Sequence, residues 1–139
     1  MKGFFMAMLI VMVTGPMAAG AQDTVKTSDG RIFTKVEVEA HFEGGDKAWS
    51  QYLQDNLNAS VPVKKRAPAG SYTVVVKFIV NTDGRVDSVR AETDHGYGME
   101  KEVIRIISNT PRWIPAQADG RPVRAYRRQP VTFQIERAG

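Results

Sequence analysis

Few residues in this chain have the types and spacing that chemistry requires. His41 and His95 fall in different predicted elements. Neither has a second His, a Cys or paired carboxylates at ligand or acid–base spacing. The Ser residues stand in turns with no base beside them, and Gly96-x-Gly98 is too short to be a dinucleotide fingerprint. Asp29, Asp83 and Asp119 each precede Gly, so they read first as turn residues. The absence of Cys removes disulfides, thiol catalysis and Cys-based metal sites. These features argue against an enzyme, a metal centre and a cofactor. The side chains that remain are basic: Lys64-Lys65-Arg66, and the group Arg121, Arg124, Arg127 and Arg128. A net charge of +4 is mild, and no aromatic-interleaved motif accompanies it, so nucleic acid is not an expected partner. Charge of this kind on an exposed strand deters aggregation, and the same strand could also accept an extended peptide.

The elements that must position these residues follow from periodicity. Tyr72, Val74, Val76, Phe78 and Val80 alternate, with Val75 and Ile79 apolar on the other side, which predicts a central strand. Asn81-Thr82-Asp83-Gly84 predicts a hairpin turn. Arg85 to Glu92 is the return strand, with a bulge between Val86 and Val89. A helix begins at Met99 and buries Met99, Val103, Ile106, Ile107 and Thr110, with Glu100 and Glu102 complementing its dipole. Pro111 and Pro115 stop helix at the next stretch, and Trp113 between them is the expected core anchor. Asp119-Gly120 turns the chain into a long last strand, Val123 to Arg137, in which Val131, Phe133 and Ile135 face inward and Pro130 marks an edge.

Upstream, Asp46 caps a helix from about Lys47 to Asn58 that carries Trp49, Leu53 and Leu57. Val63 to Ser71 reads as a basic loop. Thr24–Thr27 and Ile32–Glu39, joined by Ser28-Asp29-Gly30-Arg31, predict a hairpin. Met1 to Ala21 has the form of a secretory signal, with Lys2, the apolar run Phe4–Val13, and Ala19-Gly20-Ala21 before the expected cut. An uncleaved anchor is the alternative. The domain organisation is therefore 1–21 signal peptide, 22–41 N-terminal hairpin or extension, and 42–139 a single domain. Its expected class is α+β, a three-stranded antiparallel sheet with two helices on one face.

The run Tyr72–Val80, Asp83-Gly84-Arg85-Val86, Met99–Ile107, Trp113-Ile114-Pro115-Ala116, Asp119-Gly120-Arg121-Pro122-Val123 and Val131-Thr132-Phe133 resembles the TonB C-terminal domain. Phe42-Glu43-Gly44-Gly45 and the helix after it are similar to the Bacteroidetes-type version of that family. Here Glu43 stands where the family has Pro, and Val61 where an aromatic precedes Pro62.

The resemblance implies a periplasmic domain whose last strand pairs with the TonB box of an outer-membrane receptor, in energy-dependent transport. Carried onto this chain, the implied partner-binding residues are Val123, Arg124, Ala125, Tyr126, Arg127, Arg128, Gln129, Val131 and Thr132. The implied structural residues are Gly84, Trp113, Pro115, Gly120 and Phe133. No metal or cofactor is implied. Motor proteins are further partners if the N-terminus is anchored, and the open edge would also let two copies pair. Only about 20 residues separate Gln22 from Phe42, at most ~70 Å when extended, where full transducers have a long Pro-rich spacer. A free-standing periplasmic interaction domain without energy transduction is therefore the second reading.

Overall fold

The alternation read from Tyr72 to Val80 forms a strand, and that strand is the middle of the sheet. The computed structural model describes residues 4–11 and 32–138. In chain order they form β1 (Phe4–Val11), β2 (His41–Phe42), α1 (Gly45–Asn56), α2 (Val61–Lys64), β3 (Gly70–Val80), β4 (Val86–Ala91), α3 (Met99–Ser108), β5 (Trp113–Ile114), β6 (Ala116–Ala118), β7 (Arg121–Val123) and β8 (Ala125–Ala138). The three strands β8, β3 and β4 pair antiparallel in that order, and β1 adds antiparallel to the outer side of β8. No helix among the described residues is long and apolar enough to cross a membrane.

One core joins the inner face of the sheet to the helices. Val74, Val76, Phe78 and Val80 of β3 and Val131, Phe133 and Ile135 of β8 meet Trp49 and Leu53 of α1 and Met99, Val103, Ile106 and Ile107 of α3. These are the period-2 and period-3.6 stripes of the sequence, brought face to face. Tyr52 ties the helices together, its hydroxyl donating to the Ile106 carbonyl at 2.8 Å. The expected bulge is present in the hairpin: the β3–β4 register shifts between Lys77 and Ile79, and Ser88 takes a φ of 52°.

Several expectations are corrected. The basic stretch after Val61 is not all loop, because Val61–Lys64 forms a turn of helix with Pro62 near its start, where the missing amide costs nothing. The first helix starts at Gly45 and ends at Asn56, since Leu57 turns to extended backbone while its side chain stays in the core. Thr110 lies beyond α3. The last strand is broken at Arg124: Arg121–Val123 instead forms a hairpin with Ala116–Ala118 through Asp119-Gly120. The first arm of the N-terminal hairpin lies outside the described residues. The second arm makes single bridges only, Phe33 to Ala125 and Val38 to Gln117.

Candidate functional site

β8 has one side bound to β3 and one side facing outward, and the backbone shows which residues belong to which. The Tyr126 amide donates to the Phe33 carbonyl at 3.1 Å, and the Phe33 amide donates to the Arg124 carbonyl at 2.9 Å. Residues of even number therefore turn their backbone groups away from β3. The β3–β8 register is unbroken from Ala125 to Ile135, so the same holds for Arg128, Pro130, Thr132 and Gln134. Pro130 thus sits where its missing amide belongs, on the outer edge. Its carbonyl accepts from the Gln129 side-chain amide at 2.7 Å. At that one position the edge offers no donor and an already used acceptor. β1 pairs with β8 from Val131 to Ala138 and stops there.

The side chains divide in the same way. Ala125, Arg127, Gln129, Val131 and Phe133 alternate onto the core side; four of them are buried, and the Arg127 side chain keeps only 9% of its exposure. The Gln129 side-chain oxygen accepts from the Trp49 indole at 2.8 Å, satisfying a buried N–H that would otherwise be costly. Arg127 packs over the Trp113 ring at 5.6 Å, with Glu39 4.0 Å away and its Nε without a hydrogen-bond partner. Burial pushes its guanidinium down from the ordinary value, against the opposing pull of Glu39 and Asp46.

Arg124 and Arg128 instead lie over the open face of the sheet. Arg124 bonds Asn81 at 2.7 Å and approaches Asp87 at 3.7 Å, while Arg128 bonds Glu92 at 2.8 Å. The Arg128 bond holds the Glu92 carboxyl below its usual range. Tyr126 accepts the Lys77 ammonium over its ring at 4.1 Å. Val123 belongs to β7 and is buried. Of the residues implied as partner-binding, Thr132 places an outward amide in the stretch that β1 covers. Its hydroxyl meets that of Thr73 at 2.8 Å.

The edge is held in place from below by Trp113. Its ring is 4.7 Å from Trp49, 5.4 Å from Phe78 and 5.7 Å from Phe42. Its backbone docks on the β3–β4 turn, the Trp113 amide donating to the Gly84 carbonyl at 2.8 Å. A Cβ at Gly84 would lie 2.3 Å from the Trp113 carbonyl oxygen, and its φ is +86°. Two residues read only as dipole partners do more. Glu100 accepts from the His95 and Gly96 amides and the Thr93 hydroxyl, fixing the loop before α3. Glu102, 8% exposed, accepts from Arg105 and from the Asn58 amide. Burial raises both carboxyls, and these bonds outweigh it, so each ends below its ordinary value. The acid at the helix start was the available signal; its distant partner was not legible. Among the described residues, no group of three His, Cys, Asp or Glu converges as a metal site would.

Residues 65–135, more than half of the chain, match the family described as Gram-negative bacterial TonB protein C-terminal. No curated protein and no solved structure matches the chain.

Proposed function

The chain belongs to the TonB C-terminal family, whose members are non-catalytic interaction domains of the cell envelope, and from that premise we propose that the outer edge of β8 receives the TonB box of an outer-membrane receptor as an added strand. The observation that carries this reading is β1. The edge from Val131 to Ala138 already takes an extended eight-residue segment of the chain itself. Strand addition needs a row of outward donors and acceptors and little from side chains. Thr132, Gln134 and Glu136 supply that row by parity, and Pro130 limits it on one side.

Export supplies the means of opening the edge. Cleavage after Ala21 would remove β1 and leave the outward amides to a partner in the periplasm. The extension 22–41 and the domain 42–139 would remain, with Phe33 still bonded to the Arg124 carbonyl and the Tyr126 amide. A chain that kept its N-terminus in the inner membrane could also meet motor proteins, and a freed edge could pair two copies.

Thr132→Pro tests the reading. It removes an outward amide that β3 does not use, so the sheet should survive, whereas Phe133→Pro removes an inward one and should unfold the domain. One lost hydrogen bond is worth about 0.5–1.5 kcal/mol, and the interrupted row brings the loss to roughly tenfold in affinity. The measurement is an NMR titration with TonB-box peptides of receptors from the same organism. Unchanged binding by folded Thr132→Pro would defeat the edge assignment. A silent β8 at millimolar peptide, with another envelope protein bound elsewhere, would favour the free-standing domain.

A further inference from the structure

The basic run Lys64-Lys65-Arg66 plays no part in the β8 edge, yet α2 brings one member of it against the start of α3. An open groove of about 410 Å³ lies there, lined by Val61, Lys65, Gly98, Lys101, Glu102 and Arg105. Its walls stand close because residue 98 is Gly. A Cβ there would fall 2.7 Å from Val61 Cγ1 and 3.2 Å from Lys65 Cε, at a φ of +78°. The stem of Lys65 is thus laid along the α3 N-terminus.

The charges of the groove are unbalanced. Glu102 is neutralised by Arg105, whose Nη2 also donates to the Asn56 carbonyl at 3.1 Å. That pair is closed on itself. Lys65 and Lys101 are exposed, and their ammonium groups have no ion-pair or hydrogen-bond partner among the described residues. Two uncompensated ammonium groups therefore flank a concave floor that includes the half-buried Val61.

We infer that this α2–α3 groove is a second interaction surface, one that takes an acidic peptide segment of a protein partner. The two cations come from different elements, Lys65 at the end of α2 and Lys101 in the first turn of α3, so a segment lying along the groove can reach both. Neither ammonium is held by a hydrogen bond toward a common point, so no compact chelate for a single phosphate is preformed. An extended chain with alternating carboxylates and small side chains meets both walls and the apolar floor.

The test is an NMR titration of the ¹⁵N-labelled protein with a short blocked peptide alternating glutamate and alanine. Shifts should centre on Lys65, Gly98 and Lys101, and binding should weaken several-fold between about 50 and 300 mM salt. Lys65→Glu with Lys101→Glu should weaken it about tenfold or more, with the rest of the spectrum unchanged because both side chains are exposed. Arg85→Glu with Arg90→Glu, an equal charge change on the β3–β4 hairpin, should leave it within about twofold. An equal loss in the two double variants would overturn the proposal. So would shifts confined to β8, an equal response to inorganic phosphate alone, or binding to phosphatidylglycerol vesicles without binding to the peptide. Thr132→Pro should leave this titration unchanged, which separates it from strand addition.

Discussion

Gly84→Ala isolates the contact by which Trp113 fixes the edge strand. At φ +86° any side chain costs about 1–2 kcal/mol. The new Cβ would also stand 2.3 Å from the Trp113 carbonyl oxygen and 3.2 Å from its nitrogen. Backbone cannot rotate out of the way as a side-chain tip can, so the turn and β5 must separate. That breaks the 2.8 Å bond from the Trp113 amide, worth about 0.5–1.5 kcal/mol. It also shifts a ring packed on Trp49, Phe78 and Phe42, where each aromatic pair contributes about 0.5–1.5 kcal/mol. The expected loss is about 3–5 kcal/mol, a large share of the stability of a small domain. Gly120→Ala is the control. Its φ is +74° and nothing lies within 4 Å of the added Cβ, so it should lose only the backbone share, about 1–2 kcal/mol. Urea unfolding followed by Trp fluorescence measures both. If the two variants lose the same within about 0.5 kcal/mol, the close approach of Gly84 to Trp113 contributes nothing and the argument fails.

Acid should destabilise the fold. Glu92, Glu100 and Glu102 are held below the ordinary carboxylate range, and such groups add stability above their unfolded value that is lost as pH falls through the folded one. Glu39 is raised, chiefly by burial, and acts in the opposite direction. Urea midpoints should therefore drop from about pH 5 to pH 3, and Glu102→Gln should flatten that slope; a midpoint independent of pH would contradict it. Arg127→Met, replacing a buried cation with one unbonded nitrogen, should leave stability unchanged or raise it by about 1 kcal/mol. A loss above about 2 kcal/mol in the same assay would mean that the guanidinium is better satisfied than its geometry indicates. Mass spectrometry of protein from the native periplasm should find Gln22 at the N-terminus, and this form should bind TonB-box peptides more tightly than a chain retaining β1. Intact Met1 in a membrane fraction would instead favour an anchored transducer.

The sequence by itself determined the elements whose periodicity is long enough to have one solution. Tyr72 to Val80 could only be a strand with two apolar sides, and Met99 to Ile107 only an amphipathic helix. Pro111 and Pro115 confined Trp113 to a non-helical crossing. Period 2 also held a signal that the Arg cluster obscured. Counting back from Phe133 and Val131 puts Gln129 and Arg127 on the core side, where the structure finds Gln129 buried and the Arg127 side chain nearly so. Other features were decided only in three dimensions. A single four-residue turn such as α2 is too short for an apolar position to recur at helical spacing, so no pattern marks it. The partners of Gln129 and Glu102 are 80 and 44 residues away, beyond any local rule. Pro130 showed that β8 has an edge, but which amides face that edge depends on the register with β3 and on the Phe33 bridge. Register is a property of paired strands, and one strand read alone does not contain it.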